Sequence, residues 1–271
     1  MSKIVFIGGG NMASCLIGGM IANGMASEKI LVSEPGAEAR QKLSELHGIE
    51  TTADNRAAAG QATLLVLAVK PQIMAAVVKD LATALGHKPA VVSIAAGIPI
   101  AALENWLGRE IALVRAMPNT PALVKSGATG LFANPLLNDQ QKQLVDQLFE
   151  SVGYACWVER EALIDAVIAV SGSGPAYFFL ILEAMQKIGR ELGLPEQTAE
   201  ALSLHTALGA SRMALESDAT AAELRKQVTS PGGTTQSAIN SFEKQGLENT
   251  FRQAMTSAVN RAEQMSEEFT S

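Results

Sequence analysis

The segment Gly8-Gly9-Gly10-Asn11-Met12-Ala13 has the residue types that let a main chain come close to a phosphate. Read as Gly8-x-Gly10-x-x-Ala13, its first glycine permits a tight turn and its second admits a pyrophosphate. The small Ala13 allows a helix to lie close on a strand. The apolar run that ends at Ile7 reads as that strand, and Met12, Leu16, Met20 and Ile21 recur as on a helix. A helix starting here turns free N–H groups and the positive end of its dipole toward an anion. In this strand–turn–helix setting the segment points to a dinucleotide held by Ile7, Gly8, Gly9, Gly10, Asn11, Met12 and Ala13; outside it, the same residues would be only a glycine-rich turn.

The next informative position is Ser33-Glu34-Pro35-Gly36. Glu34 follows Gly10 by 24 residues, near the place where an acidic side chain bonds the ribose 2′-hydroxyl of NADH. A carboxylate there repels the 2′-phosphate of NADPH, whereas Ser33 and Arg40 are groups that serve it. A solvated loop charge is the plainer reading of Glu34, and the residues leave both coenzymes open.

Three segments fall where strands of a parallel sheet would end at a ligand crevice: Ala68-Val69-Lys70-Pro71-Gln72, Ile94-Ala95-Ala96-Gly97 and Met117-Pro118-Asn119-Thr120-Pro121. Small residues such as Ala95 and Ala96 leave room for a flat ring. Taken singly, each reads first as a loop. Further on, Ser171-Gly172-Ser173-Gly174-Pro175-Ala176 breaks an apolar stretch. Val228 to Thr235, with Ser230, Gly232, Gly233, Thr234 and Thr235, sets hydroxyls and flexible backbone at a helix start. Such a start suits a small carboxylate, or else it is a capping turn with Ser or Thr as N-cap.

The elements that would position these groups follow a pattern. Lys3–Ile7, Lys29–Val32, Thr63–Val69, Val91–Ala95 and Ile111–Ala116 are nearly continuous apolar runs, the mark of strands covered on both faces. Ala37 to His47 reads as helix, with Pro35 as an early helical residue. Alternation of this kind predicts an α/β domain over residues 1–160, a Rossmann-like doubly wound parallel sheet. Residues 161–271 read as all-helical, with Ala199, Leu202, Thr206, Ala210 and Met213 on one helix and Ala254, Ala258, Ala262 and Met265 on another. Breaks fall at Leu194-Pro195-Glu196 and Ser230-Pro231-Gly232-Gly233. Tyr177 to Leu182 is apolar all round. A domain of about 110 residues can hardly hide such a helix alone, so a homodimer through the helical domain is expected.

Composition excludes several classes. Apolar residues are 48% and charged residues 18%, which rules out a disordered chain. The net charge is −6 with no basic run, which argues against a nucleic-acid partner. Cys15 and Cys156 form no spacing motif. No signal peptide is read at the start, and no stretch reaches the ~18 apolar residues that a membrane span requires. The expectation is a cytoplasmic protein with no membrane partner.

GGGNMA, AVKPQ, AAGIP, MPNTP, SGSGPAYF and VTSPGGTT occur in this order from Ile4 to about Arg261. Together they resemble the motif set of pyrroline-5-carboxylate reductases. The resemblance implies an N-terminal Rossmann-like domain, a helical C-terminal dimerisation domain, an active site between them and room for larger assemblies in which dimers form a ring. It implies reduction of 1-pyrroline-5-carboxylate to L-proline by hydride from NADPH, with NADH the other option, as the last step of proline biosynthesis. The coenzyme site it implies comprises Gly8 to Ala13, Asn55, Ala68 to Pro71 and Ala95 to Ala96, and the substrate carboxylate would sit in the Ser230 to Thr235 loop. Thr235 is assigned to the ring nitrogen of the cyclic imine, and Ser230 with the loop amides to its carboxylate. His47, His87 and His205 lie in no motif. Two other classes compete with this reading. A β-hydroxyacid dehydrogenase would resemble its relatives in carrying Lys with Asn four residues on, but Lys187 is followed there by Glu191. A nucleotide-sensing protein without turnover would leave the second-half motifs without a purpose.

Overall fold

The computed structural model describes residues 3–108 and 110–270. Contacts divide the chain into two compact units, one of Met1–Ser173 with Ser257–Ser271 and one of Gly174–Thr256.

The first unit is built on strands β1 (Lys3–Ile7), β2 (Ile30–Ser33), β3 (Glu50–Thr52), β4 (Ala62–Leu67), β5 (Ala90–Ser93), β6 (Leu113–Met117), β7 (Gly127–Ala133) and β8 (Gly153–Trp157). They form one eight-stranded sheet in the order β3-β2-β1-β4-β5-β6-β7-β8. All neighbours are parallel except β6 with β7. Between the strands run α1 (Asn11–Ala22), α2 (Ala37–His47), α3 (Asn55–Ala59), α4 (Pro71–Leu81), α5 (Ile100–Leu107) and α6 (Asp139–Glu150), with the short α7 (Leu163–Val167) after β8. Strand side chains alternate between two cores. Ile4 and Phe6 meet Leu16, Ile17 and Phe149 on one face, while Val5 and Ile7 meet Met74, Val78 and Leu103 on the other. Burial on both faces is why these strands read as unbroken apolar runs. The direction of winding reverses between β1 and β4, and Ile7 stands level with both Ser33 and Leu67. The ends of β1, β2 and β4 therefore share one edge, where ligands bind in sheets of this kind.

Several expectations shift. β4 ends at Leu67 and β5 at Ser93, each two residues early, and β6 begins at Leu113, two residues late. Pro35 lies outside α2, whose N-cap is Gly36. β3, β7 and β8 were not anticipated, because β3 is three residues long and β7 and β8 are rich in glycine and alanine. The glycines have a packing reason: a Cβ on Gly130 would lie 2.6 Å from Val167 Cγ2, so only glycine lets α7 rest on β7. The β-branched stretch around Val167 to Val170 falls in a π-helical turn, Ile168–Gly172, within the helical part of the chain.

The second unit contains α8 (Gly174–Glu191), α9 (Glu196–Glu216), α10 (Ala221–Gln227), α11 (Thr234–Lys244) and the first part of α12 (Leu247–Thr270); the end of α12 belongs to the first unit. There Phe269 joins the sheet core, and Met265 lies against Gly97. α8 and α9 pack where Gly189 meets Ala199, a Cβ on the glycine falling 3.3 Å from Ala199 Cβ. A further break, before α10, is marked by a capping box of Thr220 and Glu223. In this chain Phe178, Phe179 and Leu180 are about two-thirds exposed, at 60%, 64% and 66%. The helical run Leu163–Glu191 contains an 18-residue window of mean hydropathy 1.5 and is long and apolar enough to cross a membrane by length and composition. This corrects the expectation that no stretch reaches that limit.

Candidate functional site

Gly8 has φ of +97°, a left-handed conformation, and a Cβ there would fall 2.6 Å from the Ala68 carbonyl oxygen. Two hydrogen bonds extend the strand ladder through the turn, Gly8 N–H to Ser33 O at 2.8 Å and Ala68 N–H to Ile7 O at 2.8 Å. Gly9 lies so close to α2 that a Cβ would come within 2.4 Å of Leu43 Cδ1. Gly10 differs. It is the N-cap of α1 with ordinary φ of −69°, no side chain caps the helix, and a Cβ would meet nothing within 4 Å. Ser14 N–H makes the first helical bond back to Gly10 O. The amides of Asn11, Met12 and Ala13 have no helical acceptor. Ala13 is buried in the sheet core, and Asn11 is exposed. An open, uncapped helix start with three donors and no Cβ in the way fits a dinucleotide pyrophosphate.

At the end of β2 the Glu34 carboxylate accepts from two main-chain amides, Gly9 N–H at 2.9 Å and Gly36 N–H at 3.1 Å. Arg40 Nη1 donates to the carbonyls of Glu34 at 2.7 Å and Pro35 at 2.8 Å. Ser33 is fully buried, and its hydroxyl donates to Asn55 Oδ1 at 2.7 Å. Ser33 thus holds Asn55, the first residue of α3, and does not face solvent as a phosphate ligand would. Glu34 is no loosely solvated charge; the loop is folded around it.

Past β4, Ala68 and Val69 are half-buried and Lys70 exposed, and Pro71 opens α4. Past β5, Ala95 is buried, Ala96 half-buried, and Gly97 turns left-handed at φ +75°. Two polar residues organise the same edge, Asn119 of the MPNTP segment and Arg115, which the sequence reading passed over. Arg115, buried in the sheet, donates to Asp165 at 2.9 Å and Glu161 at 3.4 Å. Glu161 also accepts the Ile100 amide at 2.8 Å, so one arginine ties β6 to the starts of α5 and α7. Asn119 donates to Ser171 O at 3.0 Å and accepts from Ala128 N–H at 2.9 Å, joining MPNTP to the π-turn. A lone arginine inside the apolar run Ile111–Ala116 was the available signal.

In the second unit the loop before α11 turns at Gly232, φ +72°, whose amide donates to Gln236 Oε1 at 2.6 Å. Gly233 is the N-cap, with no side-chain cap, and donates to Ser230 O at 3.1 Å. The capping role open to its Ser and Thr residues is therefore not taken. Among the described residues, the hydroxyls of Ser230, Thr234 and Thr235 have no hydrogen-bond partner, and all three residues are exposed. Small anions suit such an uncapped start.

Two histidines are accounted for structurally: His47 Nε2 lies 2.8 Å from Ser14 Oγ and His87 Nε2 lies 2.7 Å from Ala62 O. Burial lowers the His47 pKa. Among the described residues no group of three or more His, Cys, Asp or Glu is placed to hold a metal ion.

Residues 161–265 match the family described as pyrroline-5-carboxylate reductase dimerisation. Residues 3–97 match the family described as NADP oxidoreductase, coenzyme F420-dependent. The chain is 50% identical to the pyrroline-5-carboxylate reductase of Pseudomonas aeruginosa, covering 98% of this chain and 97% of that one. It is 42% identical to the enzyme of that name from Vibrio alginolyticus, covering 98% of each. Among solved structures, a pyrroline-5-carboxylate reductase from Coxiella burnetii superposes with a TM-score of 0.94 at 46% identity, covering 98% of both chains. The pyrroline carboxylate reductase of Plasmodium falciparum, solved with NADP bound, does so with a TM-score of 0.87 at 30% identity, again over 98% of both.

Proposed function

The chain belongs to the pyrroline-5-carboxylate reductase family, and from that membership we infer that it reduces 1-pyrroline-5-carboxylate to L-proline with NAD(P)H, the last step of proline biosynthesis. Bound, the reduced nicotinamide supplies a hydride to the C=N carbon of the cyclic imine. The chain's own residues bind and orient. The Gly8–Ala13 turn and the first-turn amides of α1 hold the pyrophosphate, Glu34 and Asn55 stand toward the adenosine end, and Ala68 to Pro71 with Ala95 and Ala96 line the ring. Ser230, Gly232, Gly233 and Thr234 hold the substrate carboxylate at the start of α11. Thr235 hydrogen-bonds the ring nitrogen. A neutral hydroxyl is a weak acid, so the iminium form arrives from solution and Thr235 keeps its N–H aligned. Orientation of two bound reactants is then the main source of rate, about 7–11 kcal/mol when alignment is good.

The observation that carries the substrate reading is the uncapped start of α11, with uncommitted hydroxyls at Ser230, Thr234 and Thr235. In this reading residues 1–160 carry the coenzyme, and residues 161–271 carry the substrate carboxylate and the subunit interface. The helical unit pairs with a second copy, dimers assemble further into a ring, and the enzyme works in the cytoplasm without membrane or nucleic acid. Replacing Thr235 by Ala lowers kcat by about ten- to a hundredfold, the worth of one hydrogen bond to a charged group. Steady-state assay with 1-pyrroline-5-carboxylate checks it. Unchanged kcat and KM in that variant remove Thr235 from the site.

A further inference from the structure

We propose that Glu34 makes this reductase prefer NADH over NADPH. The inference rests on the reading of the glycine turn as the dinucleotide site. The end of β2 is where the adenosine ribose lies in sheets of this order. The carboxylate there is fixed rather than mobile: Gly9 N–H holds Oε2 at 2.9 Å and Gly36 N–H holds Oε1 at 3.1 Å. An ionised carboxylate that accepts two amides still has lone pairs for a ribose diol. It offers a 2′-phosphate only like-charge repulsion, and the two amide bonds stop it from swinging away.

The groups that could offset that repulsion are engaged elsewhere. Ser33 is buried and bonded to Asn55. Arg40 Nη1 is held by two carbonyls of the β2–α2 loop, so moving it onto a phosphate breaks both bonds. Arg56, next to Asn55, is paired with Asp80. The loop itself, Pro35-Gly36-Ala37, has no side-chain donor, and Glu38 adds a second negative charge in the first turn of α2. Main-chain geometry thus fixes the carboxylate at the end of β2, while the nearby arginines are engaged with other groups.

The test is isothermal titration of the full-length protein with NADH and with NADPH, beside kcat/KM for each with 1-pyrroline-5-carboxylate. We expect NADH to bind at least about tenfold tighter, a gap of about 1.4 kcal/mol. Glu34→Ser, which removes the charge, should shrink or reverse the ratio by about tenfold or more. Glu34→Gln, which keeps the shape, should move it in the same direction and stands in if the serine variant does not fold. Equal or tighter binding of NADPH by the wild type overturns the proposal, as does a ratio unmoved in either variant. Failure of the enzymatic reading looks different: both coenzymes bind and neither supports imine reduction.

Discussion

A glycine is needed for two unrelated reasons, and Gly8 and Gly10 separate them. Gly8 is left-handed and pressed against the Ala68 carbonyl, so any side chain strains the junction of β1 and β4. Gly10 has ordinary φ and open space beside it, so a side chain there meets only what binds. Gly10→Thr supplies a competent N-cap while filling the space. Its melting temperature should stay at or above that of the parent, and its coenzyme Kd, read by calorimetry, should rise about tenfold or more. Equal affinity would mean that no phosphate approaches this turn.

Elements are held at the crevice by two polar clusters of different kind. Arg115 has only 4% of its side chain exposed and is paired mainly with Asp165. Asp165→Ala leaves a buried guanidinium with a single long contact to Glu161. The expected loss is about 3 kcal/mol, measured by urea unfolding. α2 ends beside α1, where His47 meets Ser14. Burial lowers the His47 pKa, so protonation favours the unfolded chain, whose imidazole titrates near ~6.5. Stability is complete above that pH and falls as the pH drops below it toward the folded value. Thermal melts between about pH 7.5 and 5.5 should show this decline, and His47→Gln should flatten it.

At the scale of the molecule, the helical unit buries little of its own apolar surface. Phe178, Phe179 and Leu180 stand exposed on α8, as do Leu208 and Leu215 on α9. Each large apolar side chain taken from water contributes about 1.5–3 kcal/mol, so covering this face with the second copy proposed above would be strongly favourable. That face also explains why Leu163–Glu191 has membrane-like hydropathy. Sedimentation should give at least twice the 28.4 kDa chain mass, and the melting temperature should rise with protein concentration. Phe179→Asp should shift the population toward monomer and lower activity with it. A wild-type monomer at micromolar concentration would sink this account.

Burial on both faces leaves an unbroken apolar run, and a helix leaves a 3.6-residue period. The parallel sheet, α2 from Ala37 to His47 and the breaks at Pro195 and Ser230–Gly233 were therefore legible in the chain alone. So was the turn at Gly8–Gly10, whose residue types answer to φ and to space. What the tertiary structure decided lies in pairings far apart in sequence. β7 carries Gly130 because α7 presses on it there, and β8 starts with Gly153 because the Gly127 backbone leaves no room for a Cβ. Arg115 finds Asp165, and Asn119 finds Ser171, only once the sheet has brought them together. Ser33 turns inward and Glu34 takes the turn's amides for the same reason. Periodicity records which face of an element is apolar, because faces are set by local spacing; it does not record against which partner that face packs, because that is set by the order of the elements in space.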